Sequence, residues 1–325
     1  MKRVSYLSRR HVLAAIAALS TAAASPLAVA QTGAGRLREL KLGVFPIVDA
    51  AVLLLARDRG IFEKHGLRVT ISTLSTASIV QSTLSGQVAV ALNSLQHTAS
   101  ASAAGLPIGV VSGLSRWAKG SSGADPDGLI VRKGEIRSGA DLNGKTIAVV
   151  ALNSADELAA RVTIDRFGGD ARSLKFTVLP PPAMKGAVQN GDVQAAVVHD
   201  PFYSSFMASG AFAAPFGNPN FLAFADLPRL VLIASRDYAK ANAETMRALR
   251  AAVAEAIAYA ESHPQEVPDT LMKGFNTPEA DAKASALPKL SAEVSVDQVA
   301  QVKKLFEDYS FAKGTVDPSA LVLGP

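Results

Sequence analysis

The stretch AVLLLARDRGIFEKHGLRVTI, residues 51–71, decides how this chain folds. Its first half is an apolar run that predicts a helix, and Gly60 ends that helix. The second half leads into RVTISTL, residues 68–74, which predicts a strand. Another strand, LKLGVF at residues 40–45, precedes the helix and is stopped by Pro46. We therefore predict a strand–helix–strand unit, the repeating element of α/β proteins with parallel sheets.

The starts of several helices are marked by residues that can cap them. Asp49 stands where it could cap the helix in the opening stretch. Ser78 with Gln81, and Ser154 with Glu157, have the spacing of a capping box, in which two side chains bond the free backbone groups of a helix start. Each pair predicts the beginning of a further helix.

A long amphipathic helix is predicted late in the chain, over residues 243–262. Apolar residues recur on one face, and His263 with Pro264 stops the helix. We expect the remaining tail to pack on the first part of the chain.

The unit recurs about a hundred residues later. SGQVAVALNS at residues 85–94 and NGDVQAAVVHD at residues 190–200 share one pattern. In each, a helix ends at a glycine, a polar residue follows, and a strand of Ala and Val ends in polar groups. This repeat predicts two similar α/β lobes, each a mainly parallel sheet flanked by helices.

Two segments are candidates for crossing between the lobes. They are DGLIVRKG, residues 127–134, and LPRLVLIASRDY, residues 227–238. We assign residues 36–127 and 230–325 to lobe 1 and residues 128–229 to lobe 2.

The N-terminal residues 1–30 have the features of a signal peptide. A basic start is followed by an apolar run at residues 12–24, which is too short to span a membrane, and then by a small-residue cleavage site that ends at Ala30. SRRHVL, residues 8–13, resembles a twin-arginine export signal, and an ordinary secretion signal is the alternative. We expect cleavage after about Ala30 and a periplasmic protein.

Charge and cysteine content exclude several classes of protein. The net charge is +5, but four basic residues lie in the predicted leader, and without them about +1 remains. A nearly neutral body gives no electrostatic reason to expect a nucleic acid or an anionic membrane as partner. The chain has no cysteine, which excludes disulfides, thiolate nucleophiles, zinc–thiolate sites, iron–sulfur clusters and a lipid anchor on cysteine.

The opening stretch also matches the pattern A-x-x-x-G-x-F-x-x-x-G-L-x-V, and three supporting motifs follow in order at residues 84–91, 141–149 and 233–264. With these motifs the chain resembles the periplasmic substrate-binding proteins of ABC importers in the nitrate/sulfonate/bicarbonate group, which includes taurine, alkanesulfonate and thiamine-pyrimidine binders. The resemblance covers nearly the whole chain after the leader. The matching positions are Ala56, Gly60, Phe62, Gly66, Leu67 and Val69.

The resemblance implies a two-lobed periplasmic-binding-protein fold of type II, with two segments crossing between the lobes. It implies a monomer without a cofactor, which captures a small solute by lobe closure and delivers it to a membrane permease with a cytoplasmic ATPase.

The loops after the predicted strands are the candidates for a binding site, because ligands of α/β sheets bind beyond the carboxyl ends of the strands. These loops are rich in Ser, Thr and Asn, and several begin helices, which suits an anion. The alternative for each such residue is a role as helix cap alone. The candidate ligand-binding residues are Phe45, Pro46, Asp49, Ser75, Thr76, Ala77, Asn93, Ser94, Ser115 and Trp117 in lobe 1, and Asn153, Ser154, His199, Asp200 and Phe202 in lobe 2.

His199 beside Asp200 raises the question of catalysis. The following Pro201 indicates that Asp200 caps a helix, which makes it a poor partner for activating His199. The chain has no G-x-S-x-G, H-E-x-x-H or P-loop motif. A metal held by His97 and His199 would lack a spaced carboxylate. We therefore predict no catalytic residue and no metal site, and expect His199 to face the cleft and donate a hydrogen bond to the solute.

The leading hypothesis is a periplasmic solute-binding protein for a small anionic organic solute, sulfonate-like or a carboxylate. One alternative is a pyrimidine, such as a thiamine precursor, or an aromatic carboxylate. Alternatives from other classes are a periplasmic sensor that presents its ligand to a signalling receptor, and a secreted hydrolase that uses His199.

Overall fold

The computed structural model of the chain describes residues 37–118, 127–200, 202–285 and 287–324. The predicted leader, residues 1–30, lies outside them. Within the described residues, no helix has the length and apolar character needed to cross a membrane.

The strands of the opening unit form where the sequence predicts them, to within two residues at each end, and belong to a six-stranded sheet. The first strand lies one place from the edge of the sheet and pairs in parallel with the second and the third. The tenth strand pairs antiparallel with the third and the fourth. In spatial order the sheet consists of β11 (Lys289–Leu290), β4 (Ile108–Arg116), β10 (Pro228–Ser235), β3 (Val90–Ser94), β1 (Arg38–Val44) and β2 (Leu67–Thr73).

The repeated unit forms a second sheet of five strands. In this sheet the sixth strand of the chain pairs in parallel with the seventh and the eighth. The fifth strand of the chain pairs antiparallel with the eighth and the ninth. In spatial order the sheet consists of β7 (Lys175–Val178), β6 (Thr146–Val149), β8 (Ala195–His199), β5 (Asp127–Arg132) and β9 (Phe212–Ala213). The prediction of an α/β fold with two sheets is confirmed. Both sheets are mixed, because each combines two parallel strand pairs with antiparallel ones.

The chain passes from the six-stranded to the five-stranded sheet between β4 and β5, and returns between β9 and β10. Each segment predicted to cross is instead a strand of one sheet: β5 pairs within the five-stranded sheet and β10 within the six-stranded sheet. The crossings therefore lie in the connections that precede these strands, and the assigned lobe boundaries stay a prediction.

Helices flank both sheets, and the long helix occupies the range that its apolar face predicts. The helices are α1 (Ala51–Asp58), α2 (Ile61–Lys64), α3 (Ile79–Leu84), α4 (Leu95–Ala103), α5 (Ala155–Arg166), α6 (Pro181–Asn190), α7 (Phe202–Ala208), α8 (Pro219–Phe224), α9 (Arg236–Ala241), α10 (Ala243–Ser262), α11 (Val267–Phe275), α12 (Glu279–Ala284), α13 (Val296–Asp308) and α14 (Pro318–Leu321).

The opening stretch decides the fold because α1 is buried on all sides for its first six residues. One side packs toward the sheet strand that carries Leu40 and Leu42, and the helix also contacts α10 and α11. Phe62, on the short helix that follows, is fully buried in the same core. Burial of one such side chain contributes about 1.5–3 kcal/mol, so this stretch fixes the position of several elements at once.

Three of the four predicted side-chain caps do not form. Asp49 lies inside a 3₁₀ turn and its side chain points away from the helix start. The hydroxyl of Ser78 donates to the carbonyl of Ser75 at 2.9 Å, and that of Ser154 donates to the carbonyl of Ala151 at 2.6 Å. Both serines thus reach back to the preceding turn. The capping-box spacing was present, but the tight turns before the helices take the hydroxyls first.

A close backbone approach at Gly113 lets β11 join the sheet. The N–H of Gly113 donates to the carbonyl of Ala292 at 2.9 Å, and a methyl group at residue 113 would lie 2.6 Å from the carbonyl oxygen of Ser291. The incoming strand therefore leaves no room for a side chain there.

We predict that Gly113→Ala lowers the free energy of unfolding by about 1–3 kcal/mol, because the backbone must move to admit the methyl group. The matched control is Gly186→Ala, in the exposed part of α6, where an added methyl meets nothing within 4 Å. That change should raise the free energy of unfolding by up to about 1 kcal/mol through helix propensity. Urea unfolding measures both, and equal effects of the two changes would contradict the prediction.

Candidate ligand-binding site

A cavity of about 510 Å³ lies where the strands of the two sheets end. One wall comes from the residues that follow β1, β2 and β3, and the other from the residues that follow β6, β7 and β8. Both walls therefore stand at the carboxyl ends of parallel strands, where α/β sheets bind ligands. The volume lies in the range of small-molecule sites.

The structure brings most of the predicted site residues to this cavity. Twelve of the fifteen lie in its lining, and Asp49, Ser115 and Asn153 do not. Asp49 and Ser115 are buried behind the wall, and Asn153 has a left-handed backbone with φ of 54° at the turn before α5. The twelve are Phe45, Pro46, Ser75, Thr76, Ala77, Asn93, Ser94, Trp117, Ser154, His199, Asp200 and Phe202.

The lining is mainly apolar. Aromatic rings, aliphatic side chains and a run of three prolines form most of it, and the polar groups are concentrated in a few places. The apolar lining residues other than those above include Ile47, Leu74, Val178, Leu179 and the prolines at 180–182. Such a lining suits an organic solute with an apolar body.

His199 is held between two carboxylates at the end of β8. Its Nδ1 lies 2.5 Å from Oδ1 of Asp127, and its Nε2 lies 2.9 Å from Oδ1 of Asp156. Burial alone would lower the pKa of His199, but the negative charges of Asp156 and Asp127 and their hydrogen bonds raise that pKa to about 10. The ring is thus a protonated imidazolium near neutral pH, with both N–H groups engaged.

The expected role of His199 as a donor to the solute therefore needs correction. The side chain lines the cavity and is 16% exposed, yet both of its donors already bond to carboxylates. The same geometry argues against a hydrolase, because a general base needs a free ring nitrogen. Asp200, its sequence neighbour, plays no part in this pairing.

Arg229 anchors the network from the other sheet. The side chain is 3% exposed, and its Nη1 lies 3.2 Å from Oδ2 of Asp127, while its Nη2 lies 3.7 Å from Oδ2 of Asp49. The hydroxyl of Ser115 donates a short hydrogen bond to Asp49. Arg229 also lies over the ring of Trp117, with 4.8 Å between the guanidinium carbon and the ring centroid. Burial would lower the pKa of Arg229, but the carboxylates of Asp127 and Asp49 raise it.

This network joins the two sheets. Arg229 belongs to β10 and Asp49 follows β1, both of the six-stranded sheet, whereas Asp127 begins β5 of the five-stranded sheet. Burial by itself would raise the pKa of Asp127, but Arg229 and His199 bring it below its usual value. The carboxylate of Asp127 therefore stays ionised between two cations.

Asp200 caps α7, as the sequence predicts. Its Oδ1 accepts a hydrogen bond of 2.9 Å from the N–H of Ser204 in the first turn. The side chain also lines the cavity, and burial raises its pKa. Pro201, the other half of the predicted helix start, lies outside the described residues.

His97 lies on the opposite wall, in the first turn of α4. The backbone N–H of His97 donates to the hydroxyl of Ser94 at 3.0 Å. The ring nitrogen Nδ1 of His97 lies 3.3 Å from Oδ1 of Asn93. Burial lowers the pKa of His97, so its ring is neutral near pH 7. Across the described residues, no group of three or more metal-binding side chains comes together.

Sequence reasoning missed Asp127, Asp156 and Arg229. A signal for two of them was present: Asp127 begins the apolar run of β5, and Arg229 stands in the apolar run of β10. Charged residues in buried strands are rare unless they are paired. The partners could not be identified, because about a hundred residues of sequence separate Arg229 from Asp127.

Comparison with known proteins identifies relatives of this fold. A family model described as NMT1/THI5 like matches residues 48–267. No curated protein sequence matches the chain significantly.

Solved structures of similar fold cover most of the chain. The periplasmic aliphatic sulphonate binding protein SsuA from Escherichia coli has a TM-score of 0.72 at 19% identity, over 89% of this chain and 92% of that one. The alkanesulfonate-binding protein SsuA from Xanthomonas axonopodis pv. citri, bound to MOPS, has a TM-score of 0.73 at 20% identity, over 88% and 98%. The periplasmic nitrate-binding protein NrtA from Synechocystis PCC 6803 has a TM-score of 0.62 at 17% identity, over 75% and 69%.

We predict that Arg229→Met lowers the free energy of unfolding by about 3–5 kcal/mol, because it leaves Asp49 and Asp127 buried without a counter-charge. Arg172→Met, at an exposed position, is the matched control and should change stability by no more than about 0.5 kcal/mol. Chemical denaturation measures both variants. If Arg229→Met lowers the free energy of unfolding as little as Arg172→Met does, the ion pairs of Arg229 do not hold the two sheets together.

The raised pKa of His199 makes its contribution to stability depend on pH. A histidine whose pKa rises from the usual value near 6.5 to about 10 on folding stabilises the protein below about pH 6.5, and loses this effect as the pH rises through about 10. The difference in free energy of unfolding between the wild type and His199→Gln should therefore be largest below about pH 6.5 and narrow toward pH 10. Urea unfolding across this range measures it, and a difference independent of pH would contradict it.

Proposed function

The chain belongs to the NMT1/THI5-like family, and on that basis we propose that it is a periplasmic solute-binding protein. It captures a small organic solute between its two sheets and delivers the solute to a membrane permease with a cytoplasmic ATPase subunit. The single observation that carries this proposal is the cavity of about 510 Å³ to which both sheets contribute the ends of their parallel strands.

The position of the cavity supports capture by closure. Each sheet has a hydrophobic core of its own, a further cluster packs α5 against α3 and α4, and the chain passes between the two sheets twice. Two bodies joined in this way can move as hinged units, opening and closing around a ligand. A solute enclosed between them would lose most of its contact with water, which is how apolar-lined sites bind small molecules.

The solved relatives and the predicted leader support the same function. The proteins of similar fold include periplasmic binding proteins for sulfonates and nitrate. A leader at residues 1–30 would bring this chain to the periplasm, where such proteins meet their permeases. Binding needs no covalent step, in keeping with the engaged ring of His199.

We predict that Ala77→Trp abolishes solute capture. Ala77 is an exposed residue of the cavity lining, and an indole there would fill space that the solute needs. The purified protein is incubated with a small-molecule extract of cells, desalted and denatured, and the released compounds are identified by mass spectrometry. The wild type should retain at least one compound that Ala77→Trp loses.

The control for this experiment is Ala300→Trp, at an exposed position of α13 away from the cavity. It should retain the compound as the wild type does. If the wild type and Ala77→Trp release the same compounds, the cavity is not a capture site and the proposed function is wrong.

A further inference from the structure

We propose that the solute is an organic cation, with a protonated amine held against the carboxylates of the five-stranded sheet and an apolar body in the rest of the cavity. This proposal rests on the proposed binding function and names the class of solute. It reverses the charge that the sequence predicts, because the described basic side chains at the cavity wall are already paired with carboxylates.

The buried network at the cavity wall carries more negative than positive groups. The carboxylates there are Asp49, Asp127 and Asp156 of the network and Asp200 beside it, each no more than 5% exposed. Its cations are Arg229 and His199. Four carboxylates against two cations leave a formal excess of two negative charges. Uncompensated buried charge is costly, and a bound cation would relieve the excess, whereas a bound anion would add to it.

The described residues of the lining offer no free cation to an anionic solute. Arg229 is the only arginine among them, lysine is absent, and Arg229 is bound between two carboxylates. His199 uses both ring nitrogens for carboxylates. Of the other nearby basic residues, Arg161 pairs with Glu157 at 2.8 Å and Arg116 pairs with Glu293 at 3.3 Å. Lys119 lies outside the described residues.

Acidic residues of the chain stand at the two helix starts that face the cavity on the five-stranded side. Asp156 and Glu157 occupy the first turn of α5, and Glu157 accepts a 2.9 Å hydrogen bond from the N–H of Asn153. Asp200 accepts from the first turn of α7. The positive ends of both helices thus stabilise carboxylates of the chain. These carboxylates also present negative charge to a solute in the cavity.

Two of these carboxylates border the cavity itself. Asp156 and Asp200 belong to its lining, as do the rings of Phe45, Trp117 and Phe202. A carboxylate forms a charge-assisted hydrogen bond with an ammonium group. Aromatic faces attract a cation as well, so the acidic and the aromatic parts of the wall favour the same kind of solute.

The sign of the solute's charge can be tested with three probes that each carry a benzene ring: benzylamine, benzyl alcohol and benzenesulfonate. Titration calorimetry of the purified protein at about pH 7 should give the tightest binding for benzylamine and the weakest for benzenesulfonate. Asp200→Asn keeps a residue that can cap α7 and removes one negative charge, so it should weaken benzylamine binding by about tenfold. It should leave benzyl alcohol nearly unaffected.

The control is Asp192→Asn, an exposed carboxylate outside the cavity lining, which should bind benzylamine as the wild type does. The proposal is overturned if benzenesulfonate binds as tightly as benzylamine, if benzylamine does not bind, or if Asp200→Asn binds it unchanged. The charge of the compound captured from the cell extract separates the two proposals. A captured anion refutes the cationic class and leaves the binding function intact, whereas no captured compound refutes the binding function.

Discussion

One buried guanidinium connects the two halves of this structure. Arg229, on β10 of the six-stranded sheet, pairs with Asp127, the first residue of β5 in the five-stranded sheet, and lies 3.7 Å from Asp49. A charge at this depth is tolerable only if it is paired, so this ion pair fixes one place at which the two sheets meet. His199 and Asp156 extend the same chain of contacts to the cavity wall. The wall of the cavity is therefore built on the ion pairs that join the sheets.

The same network explains the role of His199, which stands beside Asp200 in the sequence. His199 could pass for a catalytic base by sequence, but its two nitrogens bind Asp127 and Asp156, and Asp200 turns away to cap α7. An imidazolium between two carboxylates acts as a fixed positive link. It holds the two buried carboxylates of Asp127 and Asp156 in place at the cavity wall.

Sequence patterns predicted the parts of this fold that depend on local periodicity. The opening unit and α10 follow from apolar residues at strand and helix spacing, and the cavity loops follow from where the parallel strands end. Caps at Ser78 and Ser154 failed because the tight turns before their helices supply nearer acceptors for the hydroxyls. The pairing of Arg229 with Asp127 could not be predicted, since nothing local links residues so distant in sequence. That pairing also decides which basic groups at the cavity wall are engaged, so this could not be predicted either.

The order of strands in the six-stranded sheet has a consequence for how the chain is made. β10 lies between β3 and β4, yet the ribosome synthesises it after the whole of the five-stranded sheet. Until β10 emerges, β3 and β4 have no common neighbour, and the larger sheet stays in two pieces with unpaired edges. The smaller sheet, continuous in sequence from β5 to β9, can assemble first. Completion of the larger sheet depends on contacts distant in sequence, which form slowly, so the nascent chain keeps unpaired strand edges until late in its synthesis.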